Sequence, residues 1–123
     1  MYVYLNLNPY NKRVGDCVIR AIANSMGKDW VDVYDDVTRF GRIIKDMPSS
    51  NSVWGAYLKN NGYKRYIISN NCSNCYTLKN FCEDNPEGKF IVCLDGHVVS
   101  VIDGNYYDTY DCGDEAPLYY WEE

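Results

Sequence analysis

Phe90-Ile91-Val92-Cys93-Leu94-Asp95-Gly96-His97-Val98-Val99-Ser100-Val101-Ile102-Asp103-Gly104-Asn105-Tyr106-Tyr107-Asp108 is the stretch whose reading decides the fold. It holds two apolar runs of strand length, each followed by an Asp-Gly pair. Asp-Gly between apolar runs is a strong hairpin signal, because glycine takes the positive φ that a two-residue loop needs. Phe90 to Leu94 is continuously apolar, as expected of a buried central strand, His97 to Ile102 pairs with it, and Asn105 to Tyr110 follows as a third strand.

The same loops set the register. A two-residue loop at Asp103-Gly104 puts Ile102 opposite Asn105 and, counting outward, Val99 opposite Asp108. Alternate residues share a face, so His97, Val99 and Val101 point the same way as Tyr110, Asp108 and Tyr106. Asp108 then lies diagonal to His97, within reach of an imidazole. A four-residue loop keeps that face, whereas a three-residue loop turns Asp108 away and sets Asp111 opposite His97, which makes Asp111 the reserve candidate. Asp103 is six residues along the strand from His97, at about 3.3 Å each, and is too far away.

Toward the N-terminus the hydrophobic period changes from that of strands to that of helices. From Asp16, the residues Val18, Ala21, Ile22 and Met26 mark one helical face that Gly27 ends, with Cys17 in the first turn. Asp29 is expected to cap a second helix, with Asp32 in its first turn, which runs through Trp30, Tyr34, Val37, Phe40 or Gly41, and Ile44 toward Asp46 and stops before Pro48. A third is expected from near Ser52 to Asn60, with Gly62 as its end signal. Residues 2–7 read as a short extended start and residues 8–15 as a polar loop. Tyr66 to Ser69 reads as a short strand, Thr77 caps a short helix through Cys82, and Tyr119 to Trp121 is a terminal strand. The expectation is an α+β fold with N-terminal helices packed on a C-terminal antiparallel β-meander.

Composition bounds the rest. The chain has 123 residues, of which 46% are apolar and 24% charged, the make-up of a single compact domain spanning residues 1–123. Lys and Arg total 12 against 17 Asp and Glu, a net charge of −5, which argues against general binding to nucleic acid. No apolar run approaches the roughly 20 residues of a membrane helix. Residues 1–8 lack the features of a secretory signal, so a cytoplasmic protein with its six cysteines reduced is expected.

A thiol nucleophile needs a stabilised thiolate, a base to hold its proton and a group to orient that base. Cys17 stands at a helix start, where free backbone N–H groups favour negative charge, His97 is the only histidine, and Asp108 is placed behind it by the hairpin. A helix-borne cysteine is by itself usually a small buried hydrophobe. The order, the helix-start placement and the shared strand face together point to a catalytic site.

A Cys opening the first long helix, then a His opening a strand, then an Asp on the next strand resembles the papain-like cysteine peptidases over most of the chain. More closely, Gly15-Asp16-Cys17-Val18-Ile19-Arg20-Ala21-Ile22, Gly96-His97-Val98-Val99 and Tyr106-Tyr107-Asp108-Thr109-Tyr110-Asp111 resemble small papain-like proteins of bacteria and their phages. The resemblance implies a papain-like fold without the extra sheet domain of the large enzymes, nearer to compact bacteriocin-processing and cell-wall peptidases. It implies a cysteine hydrolase (peptidase, isopeptidase or amidase) that acts on a peptide or protein, without metal or organic cofactor, in a bacterial host cell. Cys17 would attack the carbonyl, His97 would exchange the proton and Asp108 would orient His97. In the family a Gln six positions before the nucleophile helps hold the oxyanion with the Cys N–H. Here that position is Asn11, an amide donor one methylene shorter, and Asn8 is the alternative. Asp16 is a second departure, since a carboxylate beside Cys17 opposes thiolate formation unless its side chain is engaged in capping. The resemblance also admits a non-catalytic papain-like binding protein of phage origin that captures a host protein or a small signalling nucleotide in counter-defence.

Three further features are weaker. Lys12, Arg13 and Arg20 form a basic cluster near Cys17 suited to a small anionic ligand group. Cys72-Ser73-Asn74-Cys75, with Cys82 nearby, has the spacing of half a zinc site but lacks a second half, so incidental thiols or a reversible disulfide are the expectation. The 13 tyrosines are expected mainly as half-buried core and strand residues.

Overall fold

Both Asp-Gly pairs form two-residue hairpin loops in the computed structural model, which describes residues 1–69 and 76–123. Leu94 faces His97 across the first loop and Ile102 faces Asn105 across the second. Asp103 and Gly104, at φ 50° and 78°, both take the left-handed conformation that matches the loop to the twist of its strands. The architecture is mixed α+β, with four helices and a six-stranded sheet. In chain order the strands are β1 (Tyr2–Tyr4), β2 (Lys64–Ile67), β3 (Lys89–Leu94), β4 (His97–Ile102), β5 (Asn105–Asp108) and β6 (Tyr119–Glu122). The helices are α1 (Cys17–Met26), α2 (Trp30–Ile44), α3 (Asn51–Asn60) and α4 (Leu78–Asp84).

The expected antiparallel meander is only part of the sheet, whose order is β1-β5-β4-β3-β6-β2. β1 pairs in parallel with β5, and β2, from the middle of the chain, joins the sheet through β6. Alternation in a short segment reports that a strand forms, not which edge it will meet. Here β1 covers the open edge of β5, and β6 covers that of β3. β5 stops at Asp108 rather than Tyr110, because the Asp108 carboxylate accepts the Thr109 N–H at 2.8 Å and turns the chain out of the ladder. Asp29 precedes α2 without a side-chain capping bond, whereas Thr77 and Asn80 form a reciprocal capping box on α4.

Strand alternation divides the apolar residues between two cores. Ile91, Cys93, Val98 and Trp121 pack under α1, α2 and α3 with Ile22, Val33, Val37, Trp54 and Leu58. Phe90, Val92, Leu94, Val99 and Tyr106 pack on the opposite face with Leu78 and Phe81 of α4. Among the described residues no helix is long and apolar enough to cross a membrane. The Cys72 and Cys75 pair lies outside the described residues.

The turn after β5 is tightly fitted. Asp111 accepts the Tyr106 hydroxyl at 2.5 Å and the Gly113 N–H at 3.0 Å, and a Cβ on Gly113 would come within 2.2 Å of that hydroxyl. Gly113→Ala is therefore expected to cost about 1–3 kcal/mol through overpacking. Thermal melting checks this, and an unchanged midpoint would mean that the turn yields without cost.

Candidate active site

The site lies at the end of the sheet where β4 begins and β5 stops. α1 runs across β4 from the α1–α3 side, with Cys17 as its first residue. His97 and Asp108 share the face of Val99 and Tyr106, on the α4 side. Beyond Asp108 the partner strand is gone, which leaves the β4 backbone at Val98 to act on the Cys17 sulfur.

His97 Nε2 lies 2.5 Å from Asp108 Oδ2, and the ring is electrostatically coupled to the Cys17 sulfur. With Nε2 directed to the carboxylate, Nδ1 is left for the thiol. Burial by itself raises the Cys17 thiol, yet hydrogen bonds from His97 and the Val98 N–H, with the charges of His97 and Arg20, bring it below the usual thiol value. Burial also works against a charged His97, but hydrogen bonds with Asp108, Cys112 and Cys17, and the Asp108 charge, push it up to about 12. Asp108 is 1% exposed; burial alone would raise it, but the hydrogen bond and charge of His97, the Thr109 N–H and Arg20 hold it below the usual carboxylate range. The pairing thus favours the Cys17 thiolate beside a His97 imidazolium. Tyr110 covers the imidazole, ring centroids 5.1 Å apart.

The other three described thiols contrast with Cys17. All four are free, but burial raises Cys82 to about 11 and raises Cys93 and Cys112 as well. Cys112 Sγ donates to Asp108 Oδ2 at 3.4 Å. His97, Asp108 and Cys112 are the one group among the described residues whose donor atoms lie close enough to share a metal ion, all within 4.8 Å. These atoms already bond one another, and Arg20 holds the second carboxylate oxygen of Asp108.

Asp16 does not cap α1. Its Oδ1 takes Arg20 Nε at 2.8 Å, and its Oδ2 takes Trp30 Nε1 at 3.0 Å and Asn8 Nδ2 at 3.2 Å. Its charge is met by Arg20, and the first-turn N–H groups of α1 keep no side-chain cap. Arg20, expected with Lys12 and Arg13 to meet an anionic ligand, instead bridges two carboxylates: Nη1 reaches Asp108 Oδ1 at 3.1 Å, and the side chain is 11% exposed. Arg13 is exposed and donates to the Thr109 carbonyl; Lys12 is exposed.

Of the two amide candidates, Asn8 is buried and fully engaged. Its Oδ1 accepts the Tyr10 and Lys12 N–H groups while its Nδ2 holds Asp16. Asn11 is exposed at φ 55°, a conformation asparagine tolerates, and its side chain makes no hydrogen bond among the described residues. Asp111, the reserve orienting carboxylate, serves Tyr106 and Gly113 instead. Cys112 and the bridging role of Arg20 had no sequence signal, because both depend on where the turn after β5 folds back.

No protein-family model matches the chain, and no curated protein or solved structure matches it.

Proposed function

We propose that this chain is a small papain-like cysteine hydrolase, a peptidase, isopeptidase or amidase that works by acyl transfer to Cys17. The supporting observation is the His97–Asp108 pair, 2.5 Å apart, coupled to a Cys17 thiol that His97 helps bring below its usual value. The Cys17 thiolate attacks the substrate carbonyl, a C–S bond forms and the carbonyl π pair moves onto oxygen. The Cys17 N–H and the Asn11 amide donate to that oxyanion. As it collapses the C–N bond breaks, and His97 gives its Nδ1 proton to the leaving amine. Water then attacks the thioester, giving a proton to His97, and the C–S bond breaks to release the acid and restore thiolate and imidazolium.

Limited iodoacetamide labelling, read by mass spectrometry, tests the nucleophile. Cys17 is expected to label at least tenfold faster than Cys82, Cys93 or Cys112. Its rate should hold below the roughly 8.5 at which a free thiol ionises, because a lowered pKa keeps the thiolate present at lower pH. A protected Cys17 in the folded protein sinks the reading.

Asn11→Gly tests the oxyanion donor, since glycine accepts φ 55° without strain and removes only the amide. Turnover is expected to fall roughly 100-fold with KM little changed. An unchanged kcat removes Asn11 from the site and leaves the backbone N–H groups of α1.

A further inference from the structure

Behind the nucleophile, donor atoms of three kinds converge. His97 Nε2 lies 2.5 Å from Asp108 Oδ2, Cys112 Sγ lies 3.4 Å from the same oxygen, and all three atoms fall within 4.8 Å of one another. Asp108 and Cys112 are each 1% exposed and the His97 side chain 10%, so the group is set into the protein rather than spread over a surface. A buried cysteine ordinarily packs as a small hydrophobe, and Cys112 does belong to the core of Leu78, Phe81 and Tyr106. Its sulfur is nevertheless turned to a carboxylate, and acyl transfer to Cys17 assigns it no step.

Coordination asks for little movement. Around a tetrahedral ion held at about 2.0–2.3 Å, neighbouring ligand atoms stand about 3.3–3.8 Å apart. The spacing of Cys112 and Asp108 is already in that range, and the contact of His97 with Asp108 has to open by about 1 Å. The surrounding contacts suit a metal ligand set, in which outer partners fix each ligand. Arg20 Nη1 at 3.1 Å and the Thr109 N–H at 2.8 Å hold Asp108 Oδ1, which presents Oδ2 as a single-oxygen ligand. With Nδ1 of His97 left for Cys17, only Nε2 faces the group. Arg20 is matched by Asp16, so a divalent ion would meet two further negative charges, the Asp108 carboxylate and a Cys112 thiolate, and cancel them. Imidazole, carboxylate and thiolate together suit a borderline ion such as Zn²⁺, whereas Mg²⁺ and Ca²⁺ take oxygen ligands.

We infer that His97 Nε2, Asp108 Oδ2 and Cys112 Sγ form a Zn²⁺ site, with water in the fourth position. Binding displaces the Cys112 thiol proton and the Nε2 proton to solvent. The ion parts His97 from the carboxylate that orients it, so it is an inhibitor of acyl transfer and not a cofactor. That consequence rests on the hydrolase reading; the site itself does not.

The test titrates Zn²⁺ alone into the nitrogen-labelled full chain carrying Cys72→Ser and Cys75→Ser, which remove the other closely spaced thiol pair. His97 is the only histidine, so its two ring nitrogens give the only imidazole signals by NMR. One equivalent is expected to strip the proton from Nε2 and shift that nitrogen, with Nδ1 still protonated. Zn²⁺ affinity, read by competition with a chromophoric chelator, is expected to fall at least tenfold in Cys112→Ala and to change less than threefold in Cys17→Ala, with thermal melts showing both folded. Co²⁺ should give a thiolate charge-transfer band in the Cys17→Ala chain, which assigns the sulfur even where Cys112→Ala does not fold. Ring signals that ignore Zn²⁺, coordination through Nδ1, or an affinity kept in Cys112→Ala and lost in Cys17→Ala overturns the site. Slow iodoacetamide labelling of Cys17 in the metal-free protein overturns the hydrolase reading and leaves the site standing.

Discussion

Cys17→Ala is expected to reduce turnover of a cognate peptide or amide substrate to background, a loss of about 10⁴-fold or more, while the protein stays folded. Alanine suits the first turn of α1, and the half-buried thiol contributes little volume to the core. Substrate binding should persist, since attack is lost but the cleft is not. His97→Ala should match it because thiol and imidazole act as a unit. Asp108→Asn should cost at least tenfold less, since it keeps the shape behind the ring while weakening the charge that orients it. Full biological effect in both alanine variants, with melts showing them folded, would abandon the hydrolase in favour of a scaffold that captures a host protein or a small nucleotide.

The second large effect is on stability. Arg20 is the cation between Asp16, 6% exposed, and Asp108, 1% exposed. Arg20→Met fills the space but leaves the carboxylates without it, and removing one partner of a buried pair costs about 3–5 kcal/mol. The pH dependence gives a signature that lost packing would not. In the unsubstituted protein Asp108 is held low, so its contribution is present above the ordinary carboxylate value of about 3.9 and is lost as pH falls through its folded value. His97 is held high, so its contribution is complete below about 6.5 and is lost as pH rises toward 12. In Arg20→Met, protonating a carboxylate relieves buried charge, so mild acid should narrow the deficit. Urea unfolding at pH 5 and 7.5 checks this, and a deficit below 1 kcal/mol at both would show that Arg20 does not hold the two carboxylates together.

What the sequence disclosed and what it hid divide along physical lines. The two Asp-Gly loops carry their own register, so the diagonal placement of His97 and Asp108 followed from counting residues. The α1 face from Val18 to Met26 and the Gly27 stop were equally legible, because helical period and a left-handed end are local properties. The parallel pairing of β1 with β5 and the insertion of β6 between β3 and β2 were not, since the choice of partner is made between distant segments. The site followed the same division. Spacing singled out Asn11 but gave no sign that Asn8 is buried and ties the loop to Asp16. Charge singled out Arg20 for a ligand, yet the folded chain surrounds it with carboxylates.

The position of β6 has a consequence for how the protein is made. β2 reaches the sheet through Tyr119–Glu122 of β6. On the ribosome, β2 emerges well before its partner, and the apolar edge of β3 at Ile91, Val92 and Cys93 stays bare until residues 119–122 leave the exit tunnel. The hairpins of β3, β4 and β5 can close before β6 emerges, but the sheet cannot. During that interval the nascent chain carries an uncapped apolar edge, the kind of surface that chaperones hold and that pairs with a neighbouring nascent chain.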